Sequence, residues 1–317
     1  MSERLYSMRE ALGRALADLG ETDEDVVVVT ADVGEATRAI RFFERYPERY
    51  FNVGIAEQHA VTFAAGLAAL GMKPIVVAFA VFLMRAWEQI RNTVVRMNLN
   101  VKLVGTHAGF SNSADGSSHQ ALEDLALMRV LPNMTVVVPA DACQVSKSLH
   151  KVVSLKGPGY YRVGRDYSPP ITCDRDEDFT VGRAEVLTEG YDVAVIGAGT
   201  ILWSALKASE ELKREMGLSV AVINMHTVKP LDEDLLLKVA QKVGAVVTVE
   251  EHSLYGGLGS AVAEVLVRKY PVPMEMLGTR QFGRSAKSPE DLIEFYGLGK
   301  KNIIDAVLRV RERAGRA

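Results

Sequence analysis

Apolar positions first recur with a helical period, at Met8, Ala11, Leu12, Ala15, Leu16 and Leu19, and Ser7 and Glu10 have the spacing of a capping box at its start. The pattern then changes. The short β-rich runs VVVVTA (26–31), IVVAF (75–79), VKLVGT (101–106) and TVVVPA (135–140) are separated by stretches of helical period. Strands that alternate with helices predict a mostly parallel sheet covered on both faces. The expected class is therefore α/β.

From Arg165 to Asp178 the sequence RDYSPPITCDRDED combines a Pro-Pro pair with acidic residues and shows no periodicity, which is linker composition. Beyond it the alternation resumes: DVAVIGAG, a helix from about Ile201, VAVINMH, a helix over 231–243, AVVTVEE, and a helix after Gly259. The final LGKKNIIDAVLRVRERAGRA reads as a surface helix with a basic end. Two α/β domains are expected, over 1–168 and 181–317, joined by a linker over 169–180; a length of 317 residues is itself about twice a usual domain.

Composition narrows the function classes. With 48% hydrophobic and 24% charged residues the chain can fill sizeable cores, and a net charge of −3 with scattered lysines and arginines provides no field for nucleic acid. Cys143 and Cys173 stand in unrelated contexts, so neither a disulfide framework nor a thiolate metal site is expected. No apolar signal core or membrane-length run is present. A cytoplasmic location follows as the expectation.

In parallel α/β sheets ligands sit at the carboxyl ends of the strands, so the loops there are the candidates. Four are unusual: ADVGEAT (31–37), VGIAEQH (53–59), HAGFSNSADGSSH (107–119), and the turn at Arg162 after Tyr161. Glu57 starts a helical pattern whose apolar face continues through Ala60, Val61, Phe63 and Ala64. A first-turn glutamate is ordinarily a solvated complement to the helix dipole. Here Gly54, Ile55 and Ala56 precede it with no polar partner, so a desolvated carboxyl, favouring its protonated form, is the competing reading; such a group can donate to a ring nitrogen.

His107, Asp115 and His119 share one loop, but their spacing matches no helical His pair or usual zinc pattern, and no metal ligation is expected. They could stabilise the loop, or meet substrate hydroxyls with a histidine available for proton transfer. Arg9 and Arg162 are, taken singly, ordinary surface charges. GAGT (197–200) lacks the third glycine of a dinucleotide fingerprint, and a tight strand-to-helix turn accounts for it. Gly256, Gly257 and Gly259 could form an anion nest or a packing turn.

Taken in order, SMREALGRAL, the TADV loop, RYFNVGIAEQHAV, FAVFLMRAWEQIRN, THAGF…ADGSSHQALED, Arg129-Val130 with LPNM, and YYRVG resemble the pyrimidine-binding and C-terminal domains of transketolases and 1-deoxyxylulose-5-phosphate synthases. The resemblance spans nearly the whole chain. It implies that Glu57 bonds the aminopyrimidine of thiamine diphosphate and so favours the imino form that activates the thiazolium carbon. It further implies that Phe82 stacks on that ring, and that Asp32 and Arg85 belong to the cofactor site. Asp115 and His119 would contact donor-sugar hydroxyls, His119 with a catalytic role; His107 would line the channel, and Arg9 and Arg162 would grip the sugar phosphate. A two-carbon ketol unit would pass from a ketose to an aldose.

The family holds the diphosphate through Mg²⁺ in a GDG motif followed by a downstream Asn, and this sequence contains neither in that arrangement. The resemblance therefore implies a partner, an N-terminal subunit carrying that motif, within a heterotetramer built on a dimer of this chain. Arg85 stands where transketolases commonly have an aromatic residue, closer to the synthase pattern. Ser111, Ser113, Ala114 and Ser117-Ser118 also depart from the usual loop. Three alternatives are carried forward: a β-type subunit of a 2-oxoacid dehydrogenase's decarboxylating component, a 1-deoxyxylulose-5-phosphate synthase-like enzyme half, and a non-catalytic scaffold subunit.

Overall fold

The computed structural model describes residues 5–165, 167–175 and 178–315, so Asp176 and Glu177 of the expected linker and the last residues of the basic end lie outside the described residues. The strands, in chain order, are β1 (Tyr6–Ser7), β2 (Val26–Thr30), β3 (Tyr50–Asn52), β4 (Lys73–Phe79), β5 (Lys102–Thr106), β6 (Thr135–Val137), β7 (Gly159–Arg162) and β8 (Tyr167–Ser168). After these come β9 (Glu185–Thr188), β10 (Val193–Gly197), β11 (Val220–Asn224), β12 (Thr227–Lys229), β13 (Val246–Ser253) and β14 (Met274–Thr279).

A seven-stranded sheet runs β12-β6-β7-β5-β4-β2-β3, and a five-stranded sheet runs β14-β13-β10-β11-β9. All pairings in the first are parallel except that of β12, and all in the second except that of β9. The expected class, α/β with mostly parallel sheets covered by helices, is what is found. The pleat explains the continuous apolar runs. On β4, Ile75 and Val77 enter the core beneath the helices Met8–Thr22 and Ala142–Ser154, whereas Val76 and Ala78 enter the core that takes Ala60, Val61 and Ala64 of the helix Glu57–Ala69. Both faces are buried, so neither can be polar.

The first helix begins at Met8 with Ser7 as its cap, the hydroxyl accepting from Glu10 N at 3.3 Å. Glu10 does not close a capping box; its carboxylate pairs instead with Arg38 at 2.7 Å.

VAVINMH is not one strand. β11 ends at Asn224, and after His226 the chain leaves its own sheet to become β12, which pairs antiparallel with β6 of the first domain. The two domains therefore share a sheet edge and one apolar core, in which Val136 and Val138 lie with Met225 and Val228. The linker is likewise tied down: Thr172 Oγ1 donates to Asp141 at 2.8 Å, and Phe179 is buried among the first domain's core residues.

Cys143 and Cys173 are joined in a disulfide, with Cα atoms 5.2 Å apart, which overturns the expectation of two unrelated cysteines. Their proximity depends on the linker folding back onto the helix Ala142–Ser154, which no local pattern encodes. Among the described residues no helix is long and apolar enough to cross a membrane.

Both glycine-rich turns are packing devices. Glu250 accepts from Leu258 N at 2.7 Å and Gly259 N at 2.8 Å, so the chain's own carboxylate fills the nest after Gly256. In GAGT, Gly199 has a φ of +82°, a conformation that favours glycine, and Thr200 Oγ1 donates to Glu251 at 2.7 Å.

Candidate active site

The carboxyl ends of β2, β3, β4, β5 and β7 bring the four unusual loops to one edge of the first sheet. Between β2 and β3 a single side chain joins two of them: Asn52 Oδ1 accepts from Asp32 N at 3.0 Å and Gly54 N at 3.1 Å, while its amide donates to Asp32 Oδ1 at 3.1 Å. Asp32 holds a φ of +59° there, a strained backbone for a residue with a Cβ. Strain of this kind concentrates at functional loops. The turn delivers the chain to Glu57, the first residue of the helix Glu57–Ala69.

Glu57 is only 7% exposed, and no hydrogen bond or ion pair from any described residue reaches its carboxyl group. Burying such a group without a partner costs free energy.

β4 and β5 supply an aromatic group. Phe79 ends β4 and stacks on Phe82 one helical turn later, with centroids 4.9 Å apart and planes 5° apart. His107 stacks on the other partner position of Phe79 at 3.6 Å, and His119 meets Phe82 edge-on at 5.6 Å. Phe82 and His119 are half-buried, so part of each ring faces outward.

His107 is buried at a φ of +57° and is held by Thr106. Thr106 Oγ1 lies 2.9 Å from His107 Nδ1 and 3.3 Å from Ala78 O. Burial first, then the charges of Arg9, Arg165 and His119, push the His107 imidazole down to about 3. It is neutral throughout the physiological range.

His226, packed on Phe179 at 4.2 Å, is likewise pushed down to about 4, chiefly by burial. Both histidines stay neutral when folded but take up a proton near pH 6.5 when unfolded. Their contribution to stability is therefore complete above that pH and declines below it, at about 1.4 kcal/mol per pH unit for each. Urea denaturation at pH 7 and pH 5 should show this loss, and His107→Gln should reduce the pH dependence. An unaltered dependence in that variant would contradict the buried neutral state.

The remaining expected site residues divide. Arg9 is half-buried, donating Nε to Arg165 O and Nη1 to Ala36 O, both at 2.8 Å, with its charge acting on His107. Asp115 and Arg85 are exposed, without a partner among the described residues. The helix Glu57–Ala69 packs against β4 and the helix Ala80–Arg85 that carries Phe82, so the Glu57 loop and the aromatic group lie on neighbouring elements.

Arg162 corrects the expectation of a phosphate ligand. It is 6% exposed, with Nε on Asp124 at 2.8 Å and Nη2 on the carbonyls of Ala121 at 3.2 Å and Glu251 at 2.9 Å. Committed to a buried ion pair, it anchors the loop from behind. Phe79, Asn52, Thr106, Asp124 and Arg165 escaped the sequence reading. Of these, Phe79 was accessible, because i,i+3 spacing places it on one face with Phe82.

The groups present suit an aromatic, nitrogen-bearing ring: a buried carboxyl without a protein partner, and a partly exposed phenyl at the same sheet edge. A divalent cation is another matter. Among the described residues the one cluster of three potential ligands is Asp141, Cys143 and Cys173, whose sulfurs are bonded to each other.

Comparison with known proteins agrees with this geometry. Residues 5–168 match the family described as transketolase, pyrimidine binding domain, and residues 182–303 match transketolase, C-terminal domain. A putative transketolase C-terminal section from Methanocaldococcus jannaschii is 40% identical over 305 residues, 95% of each chain. A 6-deoxy-6-sulfo-D-fructose transketolase subunit from Clostridium sp. is 38% identical, covering 96% of this chain and 95% of that one. A solved split-gene transketolase, described as an inactive β4 tetramer, superposes with a TM-score of 0.87 at 44% identity over 96% of this chain and 98% of that one. The buried Glu57, the aromatic group at the strand ends and these matches along both domains give one conclusion: the chain belongs to the transketolase family, as its pyrimidine-binding and C-terminal domains.

Proposed function

We propose that this chain is the C-terminal subunit of a two-chain, thiamine-diphosphate-dependent transketolase that moves a two-carbon ketol unit from a ketose phosphate to an aldose phosphate. The observation that carries the proposal is Glu57, a buried residue whose carboxyl has no partner among the described residues, at the sheet edge that also presents Phe82 and His119. Glu57 would hold the aminopyrimidine through a shared proton, and Phe82 would offer it a stacking face. Asp32 and Arg85 would border the site. When bound, the cofactor supplies the nucleophilic carbon that carries the two-carbon unit.

The chain's other residues would handle the sugar. His119, whose Nδ1 lies 2.9 Å from Ser118 Oγ, would present Nε2 to a donor hydroxyl, and Asp115 would accept from a second. His107, neutral, would line the channel and hydrogen-bond a hydroxyl. Arg9 and Arg165, the two cations that act on His107, replace the expected Arg9–Arg162 pair as the grip on the terminal anion. The diphosphate and Mg²⁺ would be held by a partner carrying the GDG…Asn motif. Similarity to a chain described as an inactive β4 tetramer supports both self-association and dependence on a partner.

Mixing this chain with such a partner and assaying xylulose 5-phosphate plus ribose 5-phosphate should give ketol transfer, with no activity from either chain alone. Because the Clostridium relative is named for a sulfonated ketose, 6-deoxy-6-sulfofructose belongs in the donor panel. Pyruvate turnover without any ketol transfer would overturn the proposal in favour of the 2-oxoacid dehydrogenase reading.

A further inference from the structure

The loop that carries Asp115 and His119 is met by the second domain at successive points along its length. Phe110 N donates to Glu251 Oε2 at 3.1 Å, and the other oxygen of Glu251 is fixed by Thr200. Ala286 N donates to Ser113 O at 3.0 Å, and Ser253 N to Leu122 O at 2.6 Å. Between these, Gln120 extends from the end of the loop. Its amide nitrogen donates both to Asn112 O at 3.1 Å, within the loop, and to Arg284 O at 3.0 Å, in the second domain's segment 280–288.

Gln120 is only 3% exposed and directly follows His119. The two surfaces touch there: a Cβ added at Gly283 would lie 1.7 Å from Gln120 Oε1, and one added at Gly116 would lie 2.5 Å from Ser285 Oγ. Ala114, Asp115, Ser117 and Ser118, at the tip, are exposed. The loop is thus clamped at its root and open at its tip.

We infer that the second domain serves as the backplate of the substrate loop, and that Gln120 is the positioning residue through which it sets the placement of His119. This rests on the reading of His119 and Asp115 as sugar contacts. One amide group ties the loop's end and its midpoint at Asn112 to a separate domain, so the side chains between them are held before substrate arrives. Preorganisation of that kind lowers the ordering cost of binding.

Gln120→Met, similar in length but without the two donors, tests it in the full chain and in the reconstituted two-chain enzyme. Amide exchange over 111–121 should accelerate about tenfold or more, while that of β4 and β10 is unchanged. In the enzyme, donor kcat/KM should fall by a similar factor, chiefly through a higher KM. A purely structural role would instead lower kcat at an unaltered KM. Unchanged exchange over 111–121, acceleration spread evenly over both domains, or a loss confined to kcat would each overturn the inference.

Should the variant not fold, the wild-type chain still decides. The Phe110, Ser253 and Ala286 amides should exchange as slowly as those of β10, and fast exchange at these three would sink the clamp. If the exchange pattern holds but the wild-type pair transfers no ketol unit from any donor, the functional reading fails and the clamp stands.

Discussion

Glu57→Gln in the reconstituted two-chain enzyme is expected to lower ketol transfer by roughly 10²–10⁴-fold, the range for removing a positioned proton-transfer group. Glutamine keeps the shape of the side chain and can still make a hydrogen bond, but it has no acidic proton to share with a ring nitrogen. Stability should move the other way or not at all. The Glu57 carboxyl has no partner among the described residues, so a neutral amide there breaks no hydrogen bond or ion pair. Steady-state rates and urea denaturation of the same preparation check both halves. Undiminished turnover would favour the scaffold reading, whereas lost turnover together with lost stability would show that Glu57 is structural.

Asp124→Ala is expected to destabilise the chain by about 3–5 kcal/mol, because it strands the buried Arg162 guanidinium. Asp124 is completely buried, accepting from Arg162 Nε at 2.8 Å and from the Tyr160 hydroxyl at 2.6 Å. Burial alone would push its carboxyl up, but the charge of Arg162 and the hydrogen bonds from Arg162 and Tyr160 together hold it below the ordinary carboxylate range. With the folded value depressed, the stabilisation is present above the unfolded value near pH 4 and is lost as pH falls through the folded one. Urea denaturation at pH 7 tests the magnitude, and a loss under about 1 kcal/mol would show the pair to be dispensable. The triple change Asp124→Leu, Tyr160→Phe, Arg162→Met should recover much of the loss, since a buried pair is often replaceable by apolar groups of similar volume.

Arg162 shows why a residue type in the right loop does not fix a role. From the sequence it is a cation at a strand end, equally able to meet a phosphate or a carboxylate. Asp124, Ala121 and Glu251 decide the matter, and Glu251 lies 89 residues away. Glu57 is buried at 7% exposure, but not by the residues that precede it, since Ile55 is 83% exposed. The cysteines failed for a simpler reason. Cys143 and Cys173 are 30 residues apart, and only the packing of the linker places them within bonding distance.

What the sequence determined by itself was the local and the repetitive: the α/β class, the start of the first helix at Ser7, the β2, β4, β5, β10 and β13 runs, and the loops at their carboxyl ends. Hydrophobic period and capping act between residues a few positions apart, so these features are written where they occur. The tertiary structure alone decided that β12 joins the other domain's sheet, that Arg162 is buried, and that Gln120 ties the substrate loop to the second domain. Each depends on groups far apart in the chain whose burial and hydrogen bonding exist only once both domains have packed, and no period or spacing in the sequence carries that information.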